Sequence, residues 1–137
     1  PKLGFRKAED FIKYSVVGFS GVLVNLGLYT ILTRYFSFSE VIAPLISIEL
    51  SLLSNFLLNN FWTFRRREIS RSIYKRFLQF HIVSGGGACL NYFTFLFAFA
   101  FLGLHDILSN LVGIAAAAIL NYLINSNWTW RKEHGSN

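Results

Sequence analysis

Residues 107–130 read ILSNLVGIAAAAILNYLINSNWTW, Ile107 to Trp130, 24 positions without a charged side chain. A helix of that length rises about 36 Å at 1.5 Å per residue, enough to cross roughly 30 Å of hydrocarbon. Working outward, Phe77 to Gly103 gives 27 residues whose one possible ion is His81, and Val41 to Phe64 gives 24 with the single charge of Glu49. Tyr14 to Thr33 adds 20 with none. A signal peptide could account for the first span, and a large soluble protein could bury one or two of the others. Four in a chain of 137 residues leave almost nothing to face water. The expected fold is an all-α membrane protein with four transmembrane helices near 12–33, 41–64, 77–102 and 107–130, forming a single domain over 1–137.

Composition agrees. Charged residues make up 15% of the chain where soluble domains average about 25%, while hydrophobic residues reach 53% and aromatics 18%. A net charge of +6 would suit a nucleic-acid binder only if the basic residues decorated a soluble face. They do not: Lys2, Arg6, Lys7 and Lys13 precede the first span, Arg65, Arg66, Arg67, Arg71, Lys75 and Arg76 lie in and around a basic loop at 65–76, and Arg131 and Lys132 follow the last. Only Arg34 falls on the other side, so the positive-inside rule places both termini in the cytosol. No nucleic-acid partner is expected. Trp62, Trp128 and Trp130 fall at the cytosolic interface, where an apolar ring with a polar N–H is favoured.

Sliding the chain along itself by 66 positions aligns Gly21 with Gly87, Asn25 with Asn91, Asn55 with Asn121 and Asn59 with Asn125. Without a gap, Trp62 then meets Trp128, Thr63 meets Thr129 and Arg65 meets Arg131. The reading is two helical hairpins of one ancestry, repeated in parallel about an axis along the membrane normal. Each helix carries a seam of small or polar residues. Helix one has Gly18, Gly21 and Asn25; helix three has Ser84, Gly87 and Asn91. Ala43, Ser47, Ser51, Asn55 and Asn59 step by four along helix two, and Ser109, Gly113, Ala117, Asn121 and Asn125 along helix four. Such seams pack membrane helices closely. The asparagines serve either as interhelical glue or as ligands for a polar cargo, since each buried polar group must find a partner.

The two copies, Asn55-Phe-Leu-Leu-Asn59-Asn-Phe-Trp-Thr-Phe-Arg65 and Asn121-Tyr-Leu-Ile-Asn125-Ser-Asn-Trp-Thr-Trp-Arg131, resemble the signature that ends the second and fourth helices of the GtrA-like family. The stretch Phe11 to Asn25 resembles that family's first helix, so the likeness covers nearly the whole chain. It implies a small four-helix membrane protein that moves a polyprenyl-phosphate-linked sugar for cell-surface glycan synthesis, with a glycosyltransferase as partner in cis or in trans. In some members the domain follows a soluble polyprenyl-phosphate sugar synthase, and Pro1 in place of a methionine fits a domain processed out of a longer chain. His134 to Asn137 read as a remnant tail.

On this reading the membrane is the plasma membrane of a prokaryote. Arg65 and Arg131 hold the lipid phosphate, Trp62, Thr63, Trp128 and Thr129 frame the way in, and Asn25, Asn55, Asn59, Asn91, Asn121 and Asn125 bond the sugar hydroxyls. The alternative is a non-transporting anchor that recruits or orients the transferase. A small drug/proton exchanger using Glu49 fits less well, because such proteins lack the Asn–Trp–Thr repeats and some insert in both orientations. Glu49, whose counterpart is Ala115, lies well off the asparagine stripe and is a candidate for proton coupling, for a subunit interface, or for a pair with Arg34. A homo-oligomer is expected, because four helices of this size enclose no passage for a sugar phosphate. No phosphate-binding loop, metal-ligand spacing or cysteine motif is present; Cys89 stands alone, and Gly85-Gly86-Gly87 lies inside a helix. No enzymatic activity, metal or cofactor is expected, and the sequon Asn127-Trp-Thr129 lies on the cytosolic side.

Overall fold

The computed structural model describes residues 2–132; the tail from His134 lies outside them. Four helices follow one another: α1 (Lys2–Arg34), α2 (Ile42–Leu58), α3 (Ile73–Leu96) and α4 (Asp106–Ile124). Helices α2, α3 and α4 each run on into one π-helical turn, Asn59–Thr63, Phe97–Phe101 and Asn125–Thr129. Four stretches, Gly4–Arg34, Ile42–Thr63, Ile73–Phe101 and Asp106–Thr129, are long and apolar enough to cross a membrane. The chain is an all-helical, multi-pass integral membrane protein.

Two helices begin earlier than the apolar spans do. Helix α1 continues back to Lys2 through a charged segment in which Glu9 and Lys13, one turn apart, form an ion pair. Helix α3 starts at Ile73 because the Ser72 side chain caps it, accepting from the Lys75 N–H at 3.3 Å. Hydropathy marks where a helix meets lipid, and capping marks where it starts.

The chain falls into two compact hairpins that divide between Arg66 and Arg67, α1 with α2 and α3 with α4. Each turns by the same device. In the first, the Phe38 N–H donates to the Leu32 carbonyl at 3.0 Å while Ser37 takes a positive φ of 54°. In the second, 66 positions on, Leu104 donates to Ala98 at 3.1 Å across Gly103, whose φ is 64°. A left-handed residue followed by an N–H that reaches back six positions satisfies a carbonyl that the helix end would otherwise leave bare.

Within each hairpin the seam is buried as its spacing predicts. Ala43, Ser47 and Ser51 are buried in the first, and Ser109, Gly113 and Ala117 in the second. The paired helices come close together at three glycines. A Cβ added to Gly21 would lie 2.7 Å from Asn55 Cγ, and one added to Gly87 would lie 2.6 Å from Asn121 Cγ. Gly113 meets the Asn91 backbone carbonyl in the same way, at 2.7 Å. Gly18, by contrast, is exposed and takes no part in the seam, as are Gly85 and Gly86. Large apolar side chains such as Phe19, Leu45, Phe93 and Leu111 point outward, as lipid requires.

Candidate functional site

The duplicated Asn-x-x-Trp-Thr segments build the same local structure twice. Thr63 Oγ1 donates to Asn59 Oδ1 at 2.8 Å, and Thr129 Oγ1 donates to Asn125 Oδ1 at 2.7 Å. The backbone closes the π turn beneath each pair, from Phe64 N–H to the Asn59 carbonyl and from Trp130 N–H to the Asn125 carbonyl, both at 2.9 Å. A π turn carries one residue more than an α turn, so it resets which side chains face in. Phe64 and Trp130 turn inward, 1% and 0% exposed, against Tyr14 at 6.3 Å and Phe80 at 5.7 Å. Trp62 and Trp128 turn outward, 40% and 41% exposed. Asn59, Thr63, Asn125 and Thr129 are themselves buried inside their hairpins, each carboxamide oxygen occupied by its threonine.

The charged surroundings of the two turns differ. Beside Trp62, Glu9 pairs with Lys13 and lies 3.6 Å from Arg66, and the Lys13 ammonium sits 5.8 Å from the Trp62 ring centroid. Arg65 and Arg66 are exposed. In the second hairpin, Arg67 reaches across to the end of α4. Its guanidinium donates to the Ser126 carbonyl, to the Trp130 carbonyl at 3.0 Å and to Ser126 Oγ at 3.0 Å. Arg71 donates to buried Gln79 at 3.2 Å, and Arg131 and Lys132 are exposed. Each hairpin thus ends in an outward tryptophan with exposed cations nearby in sequence, the combination that suits an anionic headgroup at an interface.

Further along the helices lie the other carboxamides. The side-chain oxygens of Asn25, Asn55 and Asn121 are buried without a hydrogen-bond donor. A buried acceptor left bare costs about 1–3 kcal/mol. Asn91 is half-buried near Gly113. Glu49 is exposed on α2, away from the buried Ser47 and Ser51. Asn127 of the sequon spends its side-chain N–H on the Leu123 carbonyl at 2.7 Å.

Sequence reading found the tryptophans, the asparagines and their threonines, but missed Glu9, Lys13 and Arg66 as a group, and Arg67 as a helix cap. The i, i+4 spacing of Glu9 and Lys13 was there to be read. Arg67 bonds to partners 59 and 63 positions away, and nothing local announces that.

The family model for the GtrA/DPMS transmembrane domain matches residues 13–130, a stretch that holds all three π turns and all three tryptophans. The chain belongs to this family. It is also 40% identical, over 123 residues, to a Pyrococcus furiosus protein named dolichol-phosphate mannosyltransferase. That alignment covers 89% of this chain and 34% of the relative, so the chain spans about a third of that protein's length.

Proposed function

We propose that this GtrA/DPMS transmembrane domain is a non-catalytic membrane unit that binds a polyprenyl-phosphate-linked sugar and lets its headgroup cross the bilayer. The observation that carries the reading is the set of buried carboxamide oxygens on Asn25, Asn55 and Asn121, which lack donors inside apolar hairpins. Sugar hydroxyls are such donors, and lipid offers none. At the basic end of each hairpin an arginine, Arg65 in the first and Arg131 in the second, grips a lipid phosphate with paired N–H bonds, and the tryptophan of the same hairpin, Trp62 or Trp128, seats the headgroup at the interface. Asn59 with Thr63, and Asn125 with Thr129, keep the turn in the shape that presents those tryptophans. Asn91 lends its amide on the α3 side. Both termini face the cytosol of a prokaryotic plasma membrane, given where the basic residues lie. The hairpins descend from one duplicated unit and work as a homo-oligomer, with the exposed Glu49 face as a contact. Net movement follows synthesis of the lipid on one side and its consumption on the other.

The test is reconstitution in liposomes with labelled polyprenyl-phosphate mannose, following access of the headgroup to membrane-impermeant periodate. Translocation is expected, with substrate binding weakened in Arg65→Lys and Arg131→Lys. A second reading, a membrane anchor that orients a glycosyltransferase in cis or in trans, is favoured by the Pyrococcus relative, which is named for a mannosyltransferase and extends well beyond the matched region. Binding without translocation would decide for the anchor.

A further inference from the structure

The second hairpin holds an open recess of about 430 Å³ between α3 and the start of α4, at the end away from its arginines. That volume lies within the range of small-ligand sites. Its wall sets the rings of Tyr92 and Phe95 beside three polar side chains, Asn91, Asp106 and Asn110, and no lysine or arginine lines it. Asp106 is held in place. Its Oδ1 accepts from the Ile107 N–H at 2.7 Å and lies 2.8 Å from His105 Nδ1, which leaves Oδ2 for a ligand. Tyr92 is 60% exposed, its ring set edge-on to Phe93 at 5.9 Å.

We propose that this recess is a binding subsite for the uncharged sugar of a lipid-linked sugar; the proposal deepens the function argued above and rests on its cargo. A carboxylate and two carboxamides accept from and donate to ring hydroxyls, and an aromatic face covers the apolar side of a pyranose. A phosphate is disfavoured here, because Asp106 repels it and no cation of the lining offsets that repulsion. The sugar therefore enters and the phosphate stays outside, its alkyl chain along the apolar flank of the helices. The subsite belongs to one hairpin only. Sixty-six positions earlier, Asn25, Tyr29 and Glu40 stand for Asn91, Phe95 and Asp106, but Leu26 stands for Tyr92 and Pro44 for Asn110, which removes one of the two rings and one of the two carboxamides.

The experiment uses the single native cysteine to advantage. In a Cys89→Ala background, Ile107→Cys places a thiol on the recess wall, and its modification by a membrane-impermeant maleimide is timed in lipid nanodiscs. Hexyl mannoside slows the reaction, while hexyl phosphate and free mannose at the same concentration do not. Adding Asn110→Leu or Tyr92→Ala, both at exposed positions, raises the concentration of hexyl mannoside needed by about tenfold, the effect of one lost hydrogen bond of ordinary strength. Equal protection by hexyl phosphate would mean general coverage by amphiphiles, and equal protection by free mannose would mean a soluble sugar; either overturns the proposal. So would absent protection, or protection unchanged in both variants. Hexyl mannoside carries no phosphate, so this result stands or falls independently of substrate binding by Arg65 and Arg131.

Discussion

The two hairpins share a buried frame and differ in the charges around it. In both, an asparagine and a threonine one turn apart brace a π turn, with bonds of 2.8 and 2.7 Å. In both, an aromatic residue packs inward beneath an outward tryptophan. Around that frame, the first hairpin arranges Glu9, Lys13 and Arg66 beside Trp62, whereas the second uses Arg67 to close the end of α4. The frame keeps its asparagine, threonine and outward tryptophan in both hairpins, while the inward aromatic changes from Phe64 to Trp130. The charges outside it are free to diverge, and one end has become an interfacial cluster and the other a cap.

The frame breaks most severely at its glycines. Gly21→Ala and Gly87→Ala each force a Cβ against an asparagine Cγ, an atom that rotation of the amide alone does not move away. Overpacking of this kind costs about 1–3 kcal/mol, and a leucine costs more. Gly86→Ala meets nothing and removes a poor helix former, so it should be neutral or stabilising by up to about 1 kcal/mol. Thermal unfolding in mild detergent checks all three. Similar losses at Gly21 and Gly87 support equivalent frames, and a loss at only one would break the comparison.

The asparagine–threonine braces come next. Asn59→Leu and Asn125→Leu each strand a buried threonine hydroxyl and should lower stability by about 1–3 kcal/mol. Double-mutant cycles with Thr63→Val and Thr129→Val should return a coupling of about 0.6 kcal/mol each, the usual worth of a hydrogen bond between side chains in a membrane bundle. Coupling near zero together with lost lipid binding would instead give these residues to the cargo.

Charges outside the frame should respond differently to salt. Arg67→Ala removes three bonds to the end of α4 and should cost about 1–2 kcal/mol, largely unchanged at 1 M salt because the cap is part-buried. Lys13→Ala loses an attraction between two full charges, where Arg67 bonds to neutral oxygens, and most of that effect should vanish at 1 M salt. Unfolding at low and high salt separates the two, and equal salt sensitivity would erase the distinction between cluster and cap.

How much of this was legible depended on range. Four spans, the seams and the repeated asparagines follow from hydropathy and from the four-residue spacing of a helix, both of them local. The positions of the helix starts were not legible from hydropathy, because a charged segment such as 2–11 stays helical through side-chain pairing and not through apolarity. Nor did the four-residue spacing of Asn59 and Thr63 reveal a π turn; the same spacing in a plain α-helix would have left Trp62 and Phe64 facing differently. Gly18 shared the seam's spacing and yet is exposed, since the contact face runs from Gly21 through Val17 to Tyr14, four and seven positions back, and passes beside it. The recess by Asp106 was illegible for a related reason: its residues come from two helices, and no local spacing joins Asn91 and Tyr92 to Asp106 and Asn110.

The smallest expected effect lies in the turns, where the hairpins differ by one residue in the same conformation. Ser37 and Gly103 both sit at positive φ, 54° and 64°. A serine there holds its Cβ close to the following carbonyl, at a cost of about 1–2 kcal/mol that glycine avoids. Glycine loses more backbone entropy on folding, which returns roughly 0.5–1 kcal/mol of that difference. Ser37→Gly should therefore stabilise the first hairpin by about 0.5 kcal/mol, and Gly103→Ser should destabilise the second by a similar amount. Unfolding midpoints of the two variants and of the double variant measure this directly. The double variant exchanges the residues between equivalent turns and should return to the parent's stability. A double variant that falls short would mean that the turns share a backbone conformation without sharing its energetics, and that the likeness of the hairpins ends at the basic side.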